Sequence, residues 1–375
     1  MALMDDAAVA QRILDHIDNG TTDVFDADWR EPVANYRSAE RLERELARVF
    51  RATPTPFCPS AALPGPGAFL ARAAAGTPLL AARGADGRVR VFRNACRHRG
   101  AQVACGQGEA RAFICPYHAW TYGLDGALRG APHEQQGFPG LDKAAHGLVA
   151  VHAVEHGGLV FVTQARTTCA DSGGGDDVTA LPVLLGADLR LFSTREQVSD
   201  ANWKIAAEGF LEGYHIMPTH RETFYPVQFD NLNVVEQFGR NSRVTFPYRN
   251  VERLRALPPD QREVGGVLTY VYHLFPNVII ATFPRRTIMS VLEPDGIGRT
   301  RTVTYSLARA SQLDTDRPAV DQATDFVNAG AREDQAVVES IQRGRASGAN
   351  EVFTFGRFEG ASVRFHRNLH ALLAA

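Results

Sequence analysis

Two short loops constrain this chain more than anything else in it. Cys96-Arg97-His98-Arg99-Gly100 presents a thiol and an imidazole two positions apart, and after sixteen intervening residues Cys115-Pro116-Tyr117-His118 presents a thiol and an imidazole again. Both loops follow strand-like stretches, and each carries Gly or Pro for a tight turn. Thiolate and imidazole are strong ligands for borderline and soft metals. Two occupants suit the set. One is a structural zinc ion; the other is a [2Fe–2S] cluster with two thiolates on one iron and two imidazoles on the other. Neutral imidazoles in place of anionic thiolates raise a cluster's reduction potential, which suits delivery of electrons to an oxygen-activating centre. Cys105 has no His at matching spacing and reads as a packing or loop thiol, and Cys58 and Cys169 read as incidental.

The loops lie in a run of short strands from Phe69 to about Gln164. Pro78–Arg83 and Arg88–Phe92 flank Gly84-Ala85-Asp86-Gly87 as a hairpin, Thr121–Leu128 reads as a second, and Leu148–Val154 and Gly158–Thr163 complete an all-β unit. Residues 1–52 read as helical, with Ser38 as an N-cap and Leu42, Leu46, Val49 and Phe50 at helical spacing. The Pro-rich passage Thr53–Pro66 marks one boundary. Thr167–Asp177, rich in Gly and Asp, reads as a linker. Beyond it, extended stretches at Ser242–Phe246, Leu268–Phe275, Val278–Phe283, Thr287–Leu292 and Thr300–Ala308 suit an antiparallel sheet. A long helix is expected from about Ala319 to Arg343, ending at Gly344, and a short one over Val363–Leu373.

The stretch Asn202–His220 opens this second part. At helical spacing Trp203, Ala207, Phe210 and Tyr214 form an apolar stripe, with Lys204, Glu208, Glu212 and His215 on the other side. Pro218 opposes continuation of the helix, so His220 is folded back by a turn relative to His215. Two imidazoles on either side of a helix break can converge on one metal. Taken alone, the same residues also suit a solvated face with a Lys204–Glu208 pair. On the late helix, Ala323, Val327, Gly330, Val337, Val338 and Ile341 form an apolar stripe, and Asp334 lies within it, with Glu333 toward its edge. A buried carboxylate needs a cation or hydrogen bonds, so Asp334 is the candidate third ligand of a two-His, one-carboxylate iron site.

Composition narrows the class further. A length of 375 residues suits about two domains of ~150 residues each. The formal net charge of −2 comes without like-charge runs, which argues against a nucleic-acid surface or a polybasic membrane patch. The acidic N-terminus lacks the apolar core of a secretory signal, and no stretch is long and apolar enough for a bilayer span. Five cysteines, an odd count, suit a reducing cytoplasm better than a disulfide framework.

Cys-Arg-His-Arg-Gly followed by Cys-Pro-Tyr-His-Ala-Trp-Thr-Tyr resembles the Rieske signature. Asn-Trp-Lys through Glu-Gly-Tyr-His and His220 resembles the mononuclear-iron signature of the Rieske non-haem iron oxygenases, in their catalytic α subunit. The resemblance runs from about Phe50 to the C-terminus. It implies an α+β chain: a small all-β Rieske [2Fe–2S] domain over 53–165 and a helix-grip catalytic domain with a twisted antiparallel sheet over 180–375, residues 1–52 packing on the latter. Cys96, His98, Cys115 and His118 would hold the cluster, and His215, His220 and Asp334 a mononuclear Fe(II). Glu212, usually Asp in the family, would bridge His118 of one chain and His215 of the next in a trimeric ring or stacked trimers. Electrons would come from NAD(P)H through a separate flavin and iron–sulfur reductase, directly or via a ferredoxin, and O2 would hydroxylate a small organic substrate. Glu at 212 and the Glu333–Gly344 segment resemble the branch acting on carnitine, choline and betaines, which implies N-demethylation or cleavage of a quaternary amine; Gly209 departs from the Asn often found there. Tyr270, Tyr272 and Phe275 are candidates for an aromatic cage around such a cation, and Arg285-Arg286 for a substrate carboxylate. An aromatic-ring hydroxylating mono- or dioxygenase is the alternative. A non-enzymatic Rieske or zinc protein would need only the first domain.

Overall fold

The computed structural model describes residues 2–165 and 177–374. Of the linker expected at Thr167–Asp177, all but Asp177 lies outside the described residues. The chain forms two compact units, one of Arg51–Ala187 and the other of Met1–Phe50 with Asp188–Ala375.

The Arg51–Ala187 unit is all-β in its framework. Seven antiparallel strands run in the spatial order Thr55–Pro59, Leu159–Thr163, Ala150–His156, Val89–Arg93, Thr77–Arg83, Ala68–Ala74 and Gly106–Glu109. A second sheet of three strands comprises Ala112–Ile114, Thr121–Gly123 and Leu128–Gly130. The Pro-rich passage is more than a boundary, because Thr55–Pro59 is a buried strand. Its prolines are tolerated because it lies at the sheet's edge, where a missing N–H breaks no inner ladder. Leu80, Phe92, Phe113, Trp120, Tyr122 and Leu128 form a core that includes Cys96 and Cys115, so both cysteine loops stand on close-packed side chains.

The other unit is built on a seven-stranded antiparallel sheet. Its spatial order is Leu189–Ser199, Thr300–Arg309, Arg286–Pro294, Val278–Phe283, Leu268–Leu274, Asn241–Pro247 and Val234–Phe238. The helix Arg317–Gly344 crosses one face, with Pro318 in its first turn, where a missing N–H costs nothing. The N-terminal helix Asp6–Asn19 packs Val9, Ile13 and Leu14 against Leu254, Val267 and Tyr270. The C-terminal helix Gly360–Ala374 sets Phe365 edge-on to Trp203, with centroids 5.5 Å apart. An all-β unit and a sheet-and-helix unit give the α+β class expected.

The stretch around His215 departs from a single helix. Asn202 caps Trp203–Glu208, its side chain accepting from the Lys204 N–H at 3.0 Å, and the helix then stops at Gly209. Gly209 and Gly213 weaken the helix between them, and a Cβ at Gly213 would lie 2.2 Å from Asn233 Oδ1. A new short helix, Ile216–Thr219, starts after His215 and tolerates Pro218 in its first turn. Tyr214 is therefore 59% exposed rather than on a buried stripe. The Lys204–Glu208 surface pair does not form either. Lys204 is buried, and its Nζ donates to both Glu45 oxygens at 2.9 Å, while Trp203 Nε1 donates to the same carboxylate at 3.0 Å. Glu208 instead accepts from Tyr36 Oη at 2.7 Å and meets His366 Nε2 at 2.9 Å.

Candidate metal centres

The two cysteine loops are copies of one backbone design. Cys96 N donates to Ala101 O and Gly100 N donates back to Cys96 O, both at 2.8 Å; Cys115 N donates to Trp120 O and Ala119 N to Cys115 O, both at 2.9 Å. The residue four positions after each cysteine is left-handed, Gly100 at φ 82° and Ala119 at φ 55°. Glycine meets that demand freely, whereas alanine is strained there. Beneath the loops, Arg97 N donates to Tyr122 Oη at 2.9 Å, and Tyr122 Oη lies 3.2 Å from Cys96 Sγ. Trp120 stacks on His98, with centroids 5.0 Å apart and planes 10° apart.

The four side chains fit a cluster held between two loops. Cys96 and Cys115 are free and buried. The Nδ1 atoms of His98 and His118 are buried with no hydrogen-bond partner, a costly arrangement unless something accepts their lone pairs. The two rings lie 4.7 Å apart, centroid to centroid. Burial pushes the Cys115 thiol up, but backbone N–H groups of Tyr117 and His118 and the Cys96 side chain outweigh it and hold the thiol below its ordinary value. Orphaned Nδ1 atoms beside two free, buried cysteine sulfurs are what a [2Fe–2S] group with two His ligands needs.

The second constellation is in the other unit. Ligand atoms of His215, His220 and Asp334 all lie within 4.8 Å of one another. Asp334 Oδ1 is 2.9 Å from His220 Nε2 and 3.6 Å from His215 Nε2. The remaining nitrogen of each ring is held by a carboxylate. His215 Nδ1 bonds Glu212 Oε1, and Glu212 also accepts from the backbone of Tyr214 and His215. His220 Nδ1 bonds Glu333 Oε2 at 2.8 Å, and Thr223 Oγ1 donates to the same oxygen at 2.6 Å. A metal-ligating His whose other nitrogen meets a carboxylate has its tautomer and orientation fixed. Burial pushes His215 down, but Glu212 and then Asp334 outweigh it and raise the ring above its ordinary value; His220 is raised likewise, by Asp334 and then Glu333. Two neutral imidazoles and one carboxylate form the facial set that leaves positions open on a non-haem iron.

Glu333 escaped sequence reasoning. It lay at the edge of the stripe, and its signal was only its place beside Asp334. The helix itself is tied to this site at Gly330, where a Cβ would fall 2.3 Å from Phe224 Cε2. Phe224 in turn packs edge-on against His220, centroids 4.9 Å apart. The proposed aromatic cage does not form. Tyr270 packs in the core against the N-terminal helix, its Oη donating to Asp6 at 2.8 Å, and Arg243 lies over the Tyr270 and Tyr272 rings. Of the arginine pair, Arg285 faces Asp316 at the surface, while Arg286 is buried and lines a cavity that also touches Asp334.

Two candidate metal centres, one in each unit, fit an iron-dependent oxygenase. Residues 187–375 match the family model described as ring hydroxylating alpha subunit (catalytic domain), and residues 53–153 match that of the Rieske [2Fe-2S] domain. The chain belongs to the Rieske non-haem iron oxygenases, as a catalytic α subunit. It is 27% identical over 337 residues to a carnitine monooxygenase oxygenase subunit of Acinetobacter baumannii, covering 86% of each chain. It is 26% identical over 314 residues to the chloroplastic choline monooxygenase of Beta vulgaris, covering 78% of this chain and 66% of that one. Its fold is similar to the quaternary ammonium Rieske monooxygenase CntA in complex with L-carnitine, with a TM-score of 0.75 and 21% identity over 100% of this chain and 99% of that one. Among the described residues no helix is long and apolar enough to cross a membrane.

Proposed function

We propose that this chain is the oxygenase component of a multi-component system that hydroxylates a small organic substrate, with a quaternary amine or betaine as the substrate class and N-demethylation or C–N cleavage as the outcome. The observation that carries this is the cavity of about 180 Å³ that Asp334 borders, because the carboxylate assigned to the iron then faces space for a small molecule. The relatives that act on carnitine and choline support the substrate class.

Cys96, His98, Cys115 and His118 are assigned to the cluster, and His215, His220 and Asp334 to the iron. When bound, the two groups supply single electrons and activation of O2. The protein's own part is positioning. Glu212 holds His215 and Glu333 holds His220, so neither imidazole is free to rotate. Glu212 is further assigned as the bridge that accepts a hydrogen bond from His118 of a neighbouring chain in a trimeric ring. The Arg51–Ala187 unit would be the electron-entry domain, served by a separate reductase that draws on NAD(P)H, and the free cysteines suit the cytoplasm.

The test is anaerobic purification with metal analysis and EPR. About three irons and two labile sulfides per chain, with the low-g signal of a His-ligated cluster after reduction, is the expected result, together with hydroxylated or demethylated product once reductase and a betaine are added. Zinc in place of iron after careful reconstitution would overturn the assignment.

A further inference from the structure

The cavity beside Asp334 has a wall made of alternate residues from three neighbouring strands. Ser193 and Ile288 both oppose Ser306, and Arg195 and Ser290 both oppose Thr304, so these side chains share one face of the sheet. That face is rich in hydroxyls, and Phe210 is the single aromatic residue in the lining. The charges are unbalanced. Arg195, Arg286 and Arg332 line the cavity against one carboxylate, Asp334, which the iron site claims.

Arg286 is the informative residue. It is 5% exposed. Its Nη2 donates to Ser306 Oγ at 2.8 Å, and its Nη1 donates to Thr324 O at 3.1 Å and Asn328 Oδ1 at 3.2 Å. All three acceptors are neutral. Its Nε is buried without a partner, and no carboxylate among the described residues forms an ion pair with it. Burial alone pushes its pKa down to about 10. A guanidinium taken out of water without a counter-charge is expensive, and its flat fork matches a carboxylate. Asn328 and Asp334 are six residues apart on one helix, about 9 Å along its axis at 1.5 Å per residue. The cation and the metal ligand therefore sit at separate levels of one cavity.

We propose that the cavity selects a substrate bearing a carboxylate, which Arg286 pairs at one level while the carbon to be oxidised lies toward Asp334. This rests on the oxygenase reading of the triad and narrows it to organic acids. Betaines and amino-substituted acids are favoured over choline, and aromatic acids over plain hydrocarbons. A lone Phe210 offers no cage for a bare quaternary cation, so the anionic end carries recognition.

The test is calorimetric binding to the anaerobic holoenzyme, with matched probes that differ in the carboxylate: L-carnitine and γ-butyrobetaine against choline, and anthranilate against aniline. At least one acid is expected to bind tenfold or more tightly than its counterpart. Arg286→Gln is expected to erase that preference, a loss of roughly tenfold to a hundredfold in affinity for a charge-assisted pair, and Arg286→Lys to keep part of it. Acids that bind no tighter than their counterparts, or not at all, overturn the proposal in the wild-type protein, whatever the variants do to folding. Iron loading and the cluster's EPR signal are read on the same samples. Normal loading without acid preference removes the carboxylate site and leaves the oxygenase; acid preference lost with Arg286→Gln in a protein that takes no iron at the triad does the reverse.

Discussion

Gly330 and Phe224 meet so closely that a Cβ on the glycine would fall 2.3 Å from the Phe224 ring. The ring cannot simply swing aside, because it is also packed edge-on between His220 and Phe326. In an ordinary exposed helix, Gly→Ala stabilises by about 1 kcal/mol. At this position overpacking, typically about 1–3 kcal/mol, opposes the gain. Gly330→Ala is therefore expected to lower Tm and, by displacing Phe224 against His220, to reduce the iron bound at the triad. A rise in Tm with unchanged iron content would show that the contact yields freely.

Glu333 and Asp334 are neighbours in sequence yet hold opposite nitrogens of the same ring. Glu333→Gln removes an orienting carboxylate and is expected to weaken iron affinity about tenfold to a hundredfold. Asp334→Ala removes the carboxylate assigned to the iron and is expected to abolish mononuclear iron and turnover. Both variants should keep the cluster's visible and EPR signals. Titration of Fe(II) into the metal-free proteins separates the two effects.

Glu212→Gln tests the bridge. Both metals are expected to load, while reduction of the cluster no longer drives product formation. Single-turnover experiments with the pre-reduced enzyme read this directly, and normal product yield would remove Glu212 from the electron route.

The Glu45–Lys204 pair is buried on both sides, at 0% and 1% side-chain exposure. Breaking such a pair strands a charge, at a cost of about 3–5 kcal/mol. Glu45→Gln should thus lower the denaturation midpoint strongly, and Glu45→Gln with Lys204→Met should recover much of the loss. Chemical denaturation of the four proteins in the cycle gives the coupling.

Glu359 gives a pH signature. Burial, with Glu212 and Glu208 nearby, raises its carboxyl to about 7 against the Gly356 N–H, which lowers it. An acid whose folded pKa lies above its unfolded value binds more protons when folded, so its ionisation weakens the fold as pH rises from about 4.5 to 7. Glu359→Gln is expected to leave Tm near pH 4 almost unchanged and to raise it at pH 8. An equal shift at both values would place the effect elsewhere.

Both candidate centres were legible because ligand chemistry imposes spacing. Cys96, His98, Cys115 and His118 stand out by two matched loops; Asp334 stood out by a charge among apolar residues, although Val337 and Ile341 of that stripe are exposed and Asp334 is only partly buried. The break between Glu208 and His215 was not legible, since apolar residues keep helical spacing past Gly209 and Gly213, the two residues that weaken the helix there. Lys204 misled for a related reason: its partner is Glu45, far away in sequence. The strand Leu189–Ser199 carried no strand signal because one of its faces is the polar wall of the cavity, where Ser193, Arg195 and Gln197 replace the apolar residues that alternation relies on.

That wall has a consequence for redesign. The groups assigned to grip iron come from a helix and a turn, while much of the cavity's surface comes from strand positions two apart. An engineer can rewrite Ser193, Ser290, Thr304 or Ser306 one at a time, each pointing into the same space, without editing a residue that touches His215, His220 or Asp334. Substrate range and metal chemistry are in this sense separately addressable, and a library confined to those strand positions would explore new substrates on a catalytic centre left as it is.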